Sequence, residues 1–162
     1  MQSFVEELVL CVAVNGGRVP ALLWPEDPAT LSALLELLPR PVRPEQGAEL
    51  SVPGGPGAEE LADELGRRLQ LRVRPLFRFL PVGSPVVESA LNGAESTVTV
   101  LEGACRCALS RVGEAPAPGP SGPLGMRLRS GGTLFTPQGH SYRLSEIHAP
   151  TTLLELHLEG PG

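Results

Sequence analysis

Three groups of residues in this chain have chemistry that could hold a partner, an anion or a metal. Arg72, Arg74 and Arg78 alternate along an apolar segment, within the densest basic cluster of the chain, which also includes Arg67 and Arg68. Guanidinium groups grip carboxylates and phosphates through paired bonds, so three on one strand face make a candidate docking site for an acidic partner or an anion. The competing readings are a solvated strand face and internal struts paired with acids such as Glu60, Asp63 or Glu64 just upstream. His140, His148 and Glu95 are residue types that take a divalent metal, since imidazole is the commonest metal ligand. A plainer role for His140 is that of a turn residue bonded to local backbone. His157 alternates with Leu156 and Leu158, which places it on the wet face of a strand. Cys105 and Cys107 share a face, but no second Cys or His pair stands at zinc-finger spacing, so buried thiols are expected.

Other catalytic patterns are missing. The glycines at 54–57 are interrupted by Pro56 and lack a following Lys-Ser/Thr, which excludes a phosphate loop. There is no Gly-x-Ser-x-Gly elbow, and Ser141 beside His140 is adjacency in sequence only. The net charge of −5 argues against nucleic-acid binding, which needs a basic surface. All 13 basic residues other than histidine are Arg. Three cysteines without framework spacing point to a reducing compartment. Glu6 and Glu7 stand where a secretory signal would need basic residues, and the apolar run Leu8–Val14 is too short to span a bilayer. The expectation is a cytoplasmic chain with no membrane and no nucleic-acid partner.

The elements that must position these residues can be read in outline. With 162 residues the chain can bury one core, and with 4% aromatics that core must be built mainly from Leu and Val. Leu8–Val14 reads as a strand, and Asn15-Gly16 as the turn joining it to a second arm over 17–24, an N-terminal hairpin with Pro20 at an edge. Asp27-Pro28 starts a helix whose Leu31, Leu34, Leu35 and Leu38 share a face, and Pro39 ends it. A second helix covers 58–69, with Leu61, Leu65 and Leu69 as its apolar stripe. Residues 71–80 alternate as a half-exposed strand. The rest is β-rich around a flexible Pro/Gly loop over 113–123. A mixed part over 1–82 thus leads into a β-rich part over 83–162.

Two motifs in that second part carry a family likeness. The strand Ser96-Thr97-Val98-Thr99-Val100-Leu101 ends in Glu102-Gly103, and a later strand runs into the turn Pro137-Gln138-Gly139. The order resembles the core of the cupin superfamily, including its JmjC branch. The resemblance implies an antiparallel β-barrel or partial barrel, so the expected class is α+β, with the hairpin and two helices against one face. It also implies a divalent metal held by a His-x-His or His-x-Asp/Glu pair and a final His. Those positions fall here on Ala90, Asn92 and Tyr142, which are poor ligands. The leading expectation is therefore a metal-free, non-catalytic module that binds another protein or self-associates, as a dimer. The alternatives are an iron-dependent 2-oxoglutarate oxygenase with displaced ligands at His140, His148 and Glu95, and a metal-free barrel holding a small apolar molecule.

Overall fold

The computed structural model describes residues 1–39, 48–89, 94–113 and 125–160. Among them lie α1 (Gln2–Asn15), β1 (Ala21–Leu23), α2 (Ala29–Glu36), β2 (Leu50–Pro53), α3 (Pro56–Leu69) and β3 (Arg72–Leu80). The strands β4 (Val87–Glu88), β5 (Glu95–Glu102), β6 (Ala104–Arg111) and β7 (Gly125–Arg129) follow. The last three are β8 (Thr133–Thr136), β9 (His140–Ser145) and β10 (Thr151–Glu159). Six strands form one antiparallel sheet in the order β1-β8-β5-β10-β3-β2, and four form a second in the order β4-β9-β6-β7. The protein is thus α+β, with two facing sheets that make a partial barrel and three helices outside the larger sheet.

Strand alternation sorts the side chains into two cores. On β10, Leu154, Leu156 and Leu158 turn outward to meet Phe4, Val5, Leu8 and Val12 of α1, Leu34 of α2, and Leu61 and Leu65 of α3. Leu153 turns inward, joining Val98, Val100, Leu128, Leu134 and Leu144 between the sheets. Full burial of each such side chain contributes about 1.5–3 kcal/mol. Cys105 and Cys107 are buried in this inner core, as expected, and burial pushes their thiols up to about 11 and about 12.

Both expected helices form. Asp27 starts α2 by accepting from Ala29 N through Oδ1 at 2.9 Å and from Thr30 N through its carbonyl at 3.0 Å. In α3, Gly55 and Pro56 begin the helix, and left-handed Gln70 (φ 55°) ends it.

The N-terminal hairpin does not form. Leu8–Val14 lies inside α1, and β1 pairs instead with β8, Leu22 opposite Leu134. A short apolar run fits a buried helix as well as a strand. What decides is a stripe that begins upstream of the run, at Phe4 and Val5, and continues through Leu8 and Val12. Asn15-Gly16-Gly17 ends this helix. Asn15 Nδ2 donates to Cys11 O at 2.8 Å, Gly16 N to Val12 O at 2.7 Å, and Gly17 takes φ +65°.

The boundary at residue 82 does not separate the sheets. β3 pairs with β10 along its whole length, from Arg72 opposite Glu159 to Leu80 opposite Thr151. Pro75 is accommodated because its peptide faces away from β10, where its carbonyl accepts from Gly54 N at 3.0 Å. The loop expected over 113–123 lies, beyond Gly113, outside the described residues, as do Ala90 and Asn92. Among the described residues no helix is long and apolar enough to cross a membrane.

Candidate functional site

The inward face of β10 carries Glu155 and His157 as well as Leu153, and β3 sends Arg78 to the same side. All three are buried. Tyr142 arrives from β9 in the opposite sheet and is 1% exposed. Together they form one hydrogen-bonded cluster. Tyr142 Oη donates to Glu155 Oε1 at 2.5 Å, and Arg78 Nη1 donates to the same oxygen at 2.8 Å. His157 Nε2 lies 3.1 Å from Glu155 Oε2 and donates to it in the Nε2–H tautomer. Arg78 is also held by Glu49 Oε1, 3.0 Å from Nε and 2.5 Å from Nη2, and by the Glu88 carbonyl on β4 at 3.1 Å from Nη1. The cluster therefore ties the two sheets together through charge.

Its electrostatics are self-contained. Burial alone would raise the Glu155 carboxyl, but the His157 bond, the Arg78 charge and the Tyr142 and Arg78 bonds outweigh it. They hold the group below the usual carboxylate range. Burial, with Glu155 adding to it, pushes the Tyr142 hydroxyl well above its ordinary value, so it stays a donor. For Arg78, burial disfavours the charge, while Glu155 and Glu49 more than compensate.

The arginines expected to share a docking face divide. Arg72, Arg74 and Arg78 do share one face of β3, but that face is the inside of the barrel. Arg78 lies deep within it and is a strut, not a solvent-facing group. Arg74 is exposed and bridges to Glu159. Arg72 is exposed and, among the described residues, makes no ion pair. His157 likewise corrects its expected place: the apparent wet face of its strand is the barrel interior. A central strand covered by helices on one face and by the smaller sheet on the other has no solvated side, although its polar residues alternate as on an ordinary half-exposed strand.

His140, His148 and Glu95 are not brought together. Among the described residues no three His, Cys, Asp or Glu side chains gather as a metal would need. Glu95 Oε1 accepts from Gly17 N at 3.0 Å, closing the end of α1, and His148 is exposed before β10. His140 is half-buried after the Pro137–Gly139 turn, its N–H donating to Pro137 O at 3.2 Å and its Nδ1 buried without a partner among the described residues. Two clefts lie outside the barrel interior. One of about 500 Å³ sits among Val5, Leu37, Leu61 and Arg68, and one of about 750 Å³ runs between α3 and Arg72–Arg74.

No protein-family model matches the chain, and no curated protein matches it. Among solved structures, Escherichia coli ycfD aligns with 93% of this chain and 52% of its own, at TM-score 0.59 and 14% identity. A second structure of that protein, described as the ribosomal oxygenase YcfD, aligns at 12% identity over 94% of this chain and 52% of its own, with TM-score 0.59. The fold is cupin-like. The cupin domain of Schizosaccharomyces pombe Cnp3 aligns over 54% of this chain and 52% of its own, at TM-score 0.42 and 14% identity. At such identities the likeness is one of fold alone. The chain spans about half the length of ycfD.

The sequence resemblance sets Tyr142 at the position of a final metal ligand, and the residues around it do not fit a divalent ion. A phenol held neutral is a poor ligand, and both Glu155 oxygens are engaged. The guanidinium of Arg78, 2.8 Å from Oε1, repels a second cation.

Proposed function

We propose that this chain is a non-catalytic interaction or assembly module on a cupin-like scaffold. One observation carries the reading: Tyr142, which the sequence resemblance sets at the final ligand position, is bonded to a Glu155 whose two oxygens Arg78 and His157 also engage. Around Tyr142 the barrel interior holds an ion-pair lock, whereas metal chemistry would need open, unpaired ligands. Such a lock favours the cupin-like module as a rigid platform, with its outer surfaces left to meet another protein or a second copy.

The fold shared with a ribosomal oxygenase and the His140 Nδ1, buried without a partner among the described residues, support a second reading, an iron-dependent oxygenase with displaced ligands. Elemental analysis of protein produced with added iron, nickel, zinc and manganese separates the two. The module reading expects no stoichiometric metal, and no rise in melting temperature with iron and 2-oxoglutarate, since a ligand that binds only the native state stabilises it. Stoichiometric metal that disappears in His140→Ala would overturn the module reading and favour the oxygenase.

A further inference from the structure

One face of the smaller sheet lines the inner core, through Cys105 and Cys107 of β6, Leu128 of β7, and Tyr142 and Leu144 of β9. By alternation Arg106 of β6, Arg127 and Arg129 of β7, and Arg143 of β9 point the other way, and all four are exposed. The positions beside them on that outer face hold small residues such as Ala104, Ala108 and Ser145, so the face is flat.

Two carboxylates answer these four arginines. Glu88 Oε1 accepts from Arg143 Nε at 3.0 Å and from Nη2 at 2.8 Å, and Glu146 Oε1 lies 3.3 Å from Arg106 Nη1. Arg127 and Arg129 make no ion pair among the described residues. The strand register sharpens the imbalance. Arg106 is directly opposite Arg127, and Arg129 follows two residues along the same outer strand, opposite Ala104. Like charges directly opposite each other destabilise a sheet. Gly125, diagonal to Arg106, adds a second mark: a Cβ there would lie 3.3 Å from both Nε and Nη2 of Arg106. The bare glycine lets that guanidinium lie across β7, the strand that carries Arg127.

We infer that this face docks an extended acidic segment of another protein, with one carboxylate between Arg106 and Arg127 and a second at Arg129. A guanidinium gives a carboxylate two parallel N–H bonds, and one carboxylate between two arginines removes their repulsion. Alternate residues of an extended chain stand about 7 Å apart, which is also the spacing of Arg127 and Arg129 along β7. A Glu-x-Glu or Asp-x-Asp pattern therefore matches in register, and the flat floor lets its backbone lie close. A nucleic acid suits the face less well. Among the described residues the outward positions of these strands hold no aromatic ring on which a base could stack, and the chain's net charge is −5. The inference rests on the interaction reading and names its partner's chemistry. Metal content tests that reading separately, so a failed docking leaves the ion-pair lock standing.

The test is the fluorescence anisotropy of a labelled peptide of Glu-Ser repeats titrated with the full chain. A Gln-Ser peptide of the same length and an oligodeoxythymidine of the same charge run beside it. The Glu-Ser peptide should bind, and more weakly as the Debye length shortens from about 10 Å at 0.1 M salt to about 3 Å at 1 M. Arg106→Gln combined with Arg127→Gln should weaken binding at least about tenfold. Arg72→Gln, which removes a charge from the larger sheet, should not. Arg127→Glu should abolish binding and yet raise the melting temperature of the free protein, because Arg106 then faces an opposite charge. That combination separates lost docking from lost folding. Absence of binding up to about 1 mM, equal binding of the Gln-Ser peptide, or an unchanged affinity in the double variant overturns the inference. So does tighter binding of the oligodeoxythymidine, which would make this a nucleic-acid face. Self-association in light scattering that the double variant loses would assign the face to a second copy and overturn it equally.

Discussion

Arg78 and Arg72 sit on the same face of the same strand and should respond to mutation very differently. Arg78→Met leaves Glu155 buried without its main counter-charge, and breaking a buried pair costs roughly 3–5 kcal/mol. Arg72→Gln alters an exposed group with no ion pair among the described residues and should stay within about 0.5 kcal/mol. Urea denaturation of both variants measures the contrast, and equal effects would remove the strut role given to Arg78. Adding Glu155→Leu to Arg78→Met should recover much of the loss, since an apolar replacement no longer needs a partner. Glu155 also fixes the acid response. Its folded pKa is depressed, so it contributes stability above the unfolded carboxyl value, and that contribution is lost as pH falls through the folded value. Glu155→Gln should therefore flatten the acid limb of the stability curve. Tyr142 has the opposite sign, its contribution being present below the ordinary phenol value and lost as pH rises through the elevated one. A Tyr142→Phe variant whose alkaline limb matches the wild type would contradict this.

Among the turns and strand ends, Gly103 is the most constrained. It takes φ +83°, and a Cβ there would lie 2.5 Å from Thr151 Oγ1 and 2.6 Å from the Pro150 carbonyl. Gly17 has a similar φ of +65° with nothing within 4 Å. Gly17→Ala should thus show backbone strain alone, about 1–2 kcal/mol. Gly103→Ala adds overpacking of a further 1–3 kcal/mol or so. Thermal unfolding of the two variants orders them, and a Gly103→Ala that is no worse than Gly17→Ala would mean that the β5–β6 turn yields to the β10 entry. The same elements explain what the sequence disclosed. Leu-Glu-Gly at 101–103 and Pro-x-Gly at 137–139 were legible because tight turns demand particular residues. α2 was legible from Asp27, Pro28 and its leucine spacing, and α3 from its leucine stripe, although α3 begins at Pro56, two residues before the expected start. α1 was hidden because Leu8–Val14 is apolar on every side, and periodicity has no contrast to work with there. The ion-pair cluster was hidden because Arg78, Glu155 and His157 each look like the polar half of an ordinary strand. Only the pairing of β3 with β10, over a separation of about 77 residues, brings them together.

The whole molecule holds together through layers rather than through two successive halves. Cys105 and Cys107 lie between the sheets, so they should react with a thiol reagent only as fast as the protein opens globally, well behind the partly exposed Cys11. Stopped labelling followed by mass spectrometry checks this, and early modification of Cys107 would mean that the smaller sheet detaches on its own. β10 has a further effect on time rather than on stability. It lies between β3 and β5, yet it follows both in the chain, so neither can take its final neighbour until residues 151–159 are in place. Closing the larger sheet therefore requires long-range pairing, and non-local pairing of this kind makes folding slow. In refolding experiments, substitutions on β10 such as Leu156→Ala should slow the forward rate, whereas those on α2 such as Leu34→Ala should mainly speed unfolding. Until that strand arrives, β3 and β5 each carry a free edge, and crowding of partly made chains is the stage at which this protein is most exposed to aggregation.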